Sequence, residues 1–143
     1  MRTLFTLSLF YLLIAGCSKK IGPVSYTGGW NVESINYSWQ VYTIEGETNE
    51  QQLRQIAERL ADEHLKKFVT VDIVMVWDSE IAKGATTERF KAAFSASGSW
   101  DLSIVMYKGG AFFHKARTGV EDPIGNREIL NKKIENWIYK PKH

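Results

Sequence analysis

Cys17 is the only thiol in the 143 residues, and its setting decides what it can do. It stands directly after a mostly apolar run, Leu4 to Ile14, and the small pair Ala15-Gly16. A thiol is the strongly nucleophilic side chain available for alkylation. Small residues just before it leave the backbone there accessible to a protease. With no second cysteine an intramolecular disulfide is impossible, so the folded part must be stable through its core alone. The other residues with chemical potential are dispersed. His64, His114 and His143 lack a metal-ligand spacing, and no second cysteine exists to complete a soft site, so neither metal nor cofactor is expected. No G-x-S-x-G, H-E-x-x-H or P-loop occurs, and no residue is assigned as catalytic.

The run is shorter than the roughly 20 apolar residues needed to cross a bilayer, and Ser18-Lys19-Lys20 follows without apolar continuation. With Arg2 in front it has the layout of a secretory signal. The tetrapeptide Ile14-Ala15-Gly16-Cys17 resembles the lipobox of bacterial lipoproteins. The resemblance implies a diacylglyceryl group on the Cys17 thiol, cleavage between Gly16 and Cys17, and fatty acylation of the new amino group. Two or three acyl chains, at about 0.8 kcal/mol per buried methylene, hold a protein on a membrane effectively permanently. It also implies a place in the bacterial cell envelope. Ser18 stands where an Asp would resemble an inner-membrane retention signal, which favours the periplasmic face of the outer membrane in a Gram-negative host.

Removing residues 1–16 leaves 127, a normal size for one domain. Its 17 basic and 16 acidic side chains are too balanced to argue for nucleic acid. Residues 17–29 read as lipidated cysteine and tether, rich in Ser, Lys, Gly and Pro, spanning at most roughly 40 Å. Residues 30–143 read as the globular domain.

Within that domain Ile35, Tyr37, Trp39, Val41 and Thr43 alternate with polar neighbours, the pattern of a strand with one better-buried face. Thr48 and Gln51 have the spacing of a capping box. The following helix shows an apolar face in Leu53, Ile56, Ala57, Leu60, Ala61, Leu65 and Phe68. Val69 to Trp77 is almost continuously apolar, Asp72 being the main exception, and suits a central strand reached by a parallel crossover. Asp78 to Gly84 reads as a loop, and Thr86 or Thr87 as the cap of a short helix carrying Phe90, Ala93 and Phe94. A hairpin is expected next, Leu102 to Tyr107 turning at Gly109-Gly110 into Ala111 to Ala116. Asp122-Pro123 opens an expected terminal helix with the stripe Leu130, Ile134, Trp137 and Ile138. The order β-α-β-α-β-β-α predicts an α/β (or α+β) domain with a mixed sheet of about four strands. This pattern looks like small lipoprotein domains of bacteria and their mobile elements.

In open α/β sheets ligands prefer the crevice beyond the carboxyl ends of parallel strands, which makes Glu45, Asp78, Ser79 and Lys108 the candidate ligand rim. Asp78-Ser79 also suits an ordinary strand exit. His64 and His114 suit hydrogen-bonded boundary positions, with acid or base roles as the alternative. Trp39, Trp77 and Trp137 fall in core-like patterns, while Trp30 and Trp100 are the candidates for an exposed aromatic surface. Two functions follow. The first is a non-enzymatic envelope module that binds a protein or polymer, with an exclusion or immunity role as one version. The second is an envelope hydrolase or transferase in which folding brings a histidine to Asp78 and Ser79.

Overall fold

A computed structural model describes residues 24–46, 49–97, 108–125, 128–129, 132–133 and 135–142. The strand-forming stretch before Gly46 is two strands, β1 (Val24–Val32) and β2 (Tyr37–Ile44), paired antiparallel. The 3-10 turn Glu33–Ile35 joins them, closed by Asn36 at φ 50, a left-handed conformation that Asn tolerates better than most residues. The segment 17–29, expected as tether, is therefore strand from Val24 onward. Gly28-Gly29 looked like linker composition, but Gly29 faces the backbone of β2. A Cβ there would lie 2.2 Å from the Trp39 carbonyl oxygen, so only glycine permits the approach.

Helix α1 (Glu50–Leu65) carries the chain to β3 (Thr70–Val76), which pairs parallel with β2 as expected. Its cap is Asn49, whose side chain accepts from the Gln52 amide at 3.2 Å, and the expected Thr48 lies outside the described residues. Leu53, Ala57 and Ala61 turn inward onto Val71, Ile73 and Met75 of β3 and Ala111 and Phe113 of β4 (Gly110–Ala116). The Arg117 guanidinium closes the far end of α1, donating to the Leu65 carbonyl at 2.7 Å and that of Phe68 at 3.0 Å.

The segment after β3 is not a loop but helix α2 (Ser79–Ala85), because Asp78 supplies a cap and Ile81, Ala82 and Ala85 supply an apolar face. Helix α3 (Glu88–Ser97) follows. The Thr86 and Thr87 hydroxyls donate back to the Lys83 and Gly84 carbonyls, at 3.0 and 2.8 Å, and so finish α2, while the Thr87 carbonyl accepts from the Lys91 amide at 3.2 Å, which puts Thr87 at the start of α3 as expected. Phe90 packs on the core as expected. Trp100 and the anticipated strand Leu102 to Tyr107 lie outside the described residues. Strand β4 has β3 along one edge and β7 (Trp137–Lys140) along the other, both antiparallel.

Strand β7 corrects the expected terminal helix. Trp137 and Tyr139 share one face and Ile138 takes the other, a period of two carried by aromatic and β-branched residues. Leu130 and Ile134 lie outside the described residues. A short ladder, β5 (Glu128–Ile129) with β6 (Lys132–Lys133), precedes β7.

The result is an α/β domain with a five-stranded mixed sheet in the order β1-β2-β3-β4-β7, one strand more than expected. Helix α1 covers one face. On the other, α2 packs over Tyr37, Trp39, Val41, Val74, Val76 and Phe112. All eight residues of β2 and all seven of β3 are buried, so β2 is enclosed on both faces, where only one well-buried face was expected. Among the described residues no helix is long and apolar enough to cross a membrane.

Candidate functional site

The residues expected to form a ligand rim lie around the carboxyl ends of β2 and β3. Asp78 and Lys108 come together there, with Nζ 3.3 Å from Oδ2. The other Asp78 oxygen accepts from the amides of Glu80 at 2.9 Å and Ile81 at 3.2 Å. These amide bonds, that of Ile81 foremost, and the Lys108 ammonium hold the carboxyl below its ordinary value. Asp78 is thus committed to starting α2. Ser79 is the exposed first residue of that helix, and Glu45 is exposed just past β2.

The concentrated polar cluster lies at the other end of the sheet, where sequence reading placed no site. Asp72 on β3 and His114 on β4 are Cα partners, and both project to the α2 face of the sheet. His114 Nδ1 lies 2.7 Å from Asp72 Oδ1, and its Nε2 lies 2.5 Å from Asp122 Oδ2. The Tyr37 hydroxyl donates to Asp72 Oδ2 at 2.6 Å. Asp122 Oδ1 accepts from the Ile124 amide at 3.0 Å and from the Thr70 hydroxyl at 3.4 Å. Each carboxylate is therefore bonded through both oxygens, and each ring nitrogen faces an anion.

Burial pushes the His114 pKa down, but the hydrogen bonds to Asp122 and Asp72, together with their charges, outweigh it and bring it up to about 9. The ring is an imidazolium at neutral pH and donates from both nitrogens. Burial pushes Asp122 up, yet its bond to the imidazolium outweighs that and its pKa falls below the usual carboxylate value. His114 is 3% exposed and Asp72 0%, whereas the Asp122 side chain is 26% exposed, so Asp122 is the lid of the cluster.

A histidine held charged, with both N–H groups engaged, is not poised to take a proton from a substrate. The arrangement anchors the 117–125 segment, through Asp122, onto two adjacent strands. It also lies away from the rim. Asp78 follows Asp72 by six residues, or roughly 20 Å at strand spacing, so the fold does not join His114 to Asp78 and Ser79. His64, near the end of α1, is half-buried, and burial lowers its pKa. His143 lies outside the described residues. Among the described residues no group of three His, Cys, Asp or Glu side chains is arranged to hold a metal ion.

Of the tryptophans, Trp39 is wholly buried and Trp30 rests on it with ring centroids 5.2 Å apart. Trp77 and Trp137 are only half-buried, at the margin of the α1 layer with Tyr139. The cue to the missed cluster was Asp72, the one charge in an otherwise apolar central strand, which demands a buried cation or donors. No known protein family, curated protein or solved structure matches the chain.

Proposed function

We propose that the chain is a lipoprotein of the bacterial envelope, anchored through Cys17, whose folded domain works by contact with an envelope protein or polymer and not by catalysis. The observation that carries the contact reading is the saturation of the Asp72–His114–Asp122 cluster. Its histidine is buried, its imidazolium is engaged by a carboxylate at each ring nitrogen, and every bond it makes holds strands and loop together. Asp78, the other promising acid, serves as a helix cap. The surface is then the working part. Blocking an incoming phage, plasmid or toxin at the membrane is one form such contact takes.

The anchor is tested by metabolic labelling with a fatty acid, which should mark the wild-type protein and leave Cys17→Ser unmarked. Equal labelling of both would sink the anchoring claim. The contact reading is tested by crosslinking in intact envelopes. The expected result is a specific crosslinked partner for the wild type, retained by a folded His114→Gln variant. No specific crosslink to any protein or polymer would count against it.

A further inference from the structure

The point where the chain enters the sheet sets which end of the domain is nearer to the anchor. Val24, the first residue of β1, is the Cα partner of Ile44 at the carboxyl end of β2. Val76 of β3, Gly110 of β4 and Lys140 of β7 belong to the same end of the sheet. Seven residue steps separate Cys17 from Val24, and they reach at most about 25 Å. Tyr37 and Thr70 belong to the opposite end, roughly 20 Å further along the strands, and Asp72 and His114 lie toward that end, roughly 13 Å along.

We propose that the end of the sheet bearing Val24, Ile44, Val76 and Lys140 rests on the lipid surface that holds Cys17, with the His114 end turned away from it. This orientation rests on the anchoring reading above. The side chains at that end suit a headgroup layer. Tyr26, two residues into β1, is 61% exposed, the most exposed large hydrophobic side chain among the described residues. Trp77 and Tyr139 are half-buried and meet edge-on with ring centroids 6.2 Å apart. Rings with an apolar body and a polar tip favour the membrane–water interface. Lys140 and Lys142 have long apolar stems that can lie along the lipid while the ammonium stays in water.

Acidic side chains share this end, Glu45 and Glu50 among them, so charge contributes little and the contact is aromatic. Such a contact is too small to recruit the domain alone, and its effect is to orient a domain that lipid already holds. The candidate rim around Asp78 then lies against the membrane, and a soluble partner meets the face that carries Asp122.

Cys17 being the sole natural thiol makes the test clean. The full precursor is expressed in bacteria as Ser79→Cys or Thr118→Cys, both exposed positions, at the near and far ends respectively. Glu45→Cys and Glu121→Cys are second choices at the same two ends. Each purified protein is assayed for reactive thiols, labelled with a fluorophore, and reconstituted into phosphatidylethanolamine–phosphatidylglycerol vesicles containing headgroup-nitroxide lipid.

One reactive thiol per chain is expected, with the label at residue 79 quenched severalfold more than the label at residue 118. Equal or reversed quenching with one reactive thiol would overturn the orientation and leave the anchor standing. Two reactive thiols per chain would show Cys17 unmodified and overturn both.

Discussion

Asp72 and His114 face each other across the β3–β4 ladder with Oδ1 and Nδ1 2.7 Å apart, inside a layer that is mostly aliphatic and aromatic. A buried ion pair gains little over an apolar pair of the same shape, because desolvating two charges offsets their attraction. What it supplies here is connection. Through Asp122 the imidazolium fixes a loop that nothing in the strand ladder would hold, and Ile124, two residues on, fills the α2 side of the core.

Removal of the cation should be costly because two carboxylates remain behind it. His114→Ala is expected to destabilise the domain by about 3–5 kcal/mol, the range for leaving a buried charge without its partner. Asp122→Asn should cost less, since that side chain is partly exposed and the amide can still accept from Ile124. Urea denaturation followed by tryptophan fluorescence would rank the two, and equal loss would show that the exposed lid matters as much as the buried strand pair.

The same cluster sets a pH dependence. The folded pKa of His114, about 9, lies above its ordinary 6.5, so the stability it contributes is fully present below about 6.5 and is lost as pH rises through 9. That loss is on the order of 3 kcal/mol. Asp122, whose pKa is lowered, acts in the opposite sense, with stability present above the ordinary 3.8 and lost as pH falls through its folded value. Unfolding free energy measured from pH 5 to pH 10 should therefore decline on the alkaline side, and His114→Gln should flatten that decline. An unchanged slope in the variant would contradict the assignment.

The parts of the fold written in periodicity were legible. The apolar face of α1 and the unbroken run of β3 gave the crossover and the central layer, because burial on one helical stripe or on both strand faces leaves a direct trace in sequence. The parts decided by tertiary contact were not. Gly28-Gly29 has linker composition but serves a close backbone approach. Trp137 and Ile138 fit a helical stripe until β4 offers its free edge. The cluster was half visible in Asp72, but its partners come from 42 and 50 residues further on, and only strand register and loop closure bring them together.

Asp78 separates a capping role from a ligand rim. Asp78→Asn keeps an acceptor for the Glu80 and Ile81 amides and loses the charge facing Lys108, whereas Asp78→Ala loses both. The expected thermal stability follows the order wild type, then Asn slightly below, then Ala clearly lower, since a cap depends on an acceptor oxygen more than on charge. Equal melting temperatures for the Ala and Asn variants would mean that the carboxylate matters mainly as a partner of Lys108.

Gly29→Ala tests where the domain begins. If residues 17–29 were a tether, one methyl group there would have no effect on folding. In the β1–β2 ladder the new Cβ meets the Trp39 carbonyl oxygen at 2.2 Å and the Gln40 side chain at 2.7 Å. The Gln40 amide can swing away, but the carbonyl belongs to the central strand pair and can yield only by spreading β1 from β2. A loss of roughly 1–3 kcal/mol is expected, the usual cost of forcing an extra methyl into a packed position. Thr27→Ala supplies the comparison, because it removes only the half-buried hydroxyl contact with Thr43 at 2.8 Å and leaves the backbone approach untouched. Denaturant midpoints that fall for Gly29→Ala well beyond Thr27→Ala would place Gly29 inside the cooperative unit, while a wild-type midpoint for Gly29→Ala would return the boundary to Trp30.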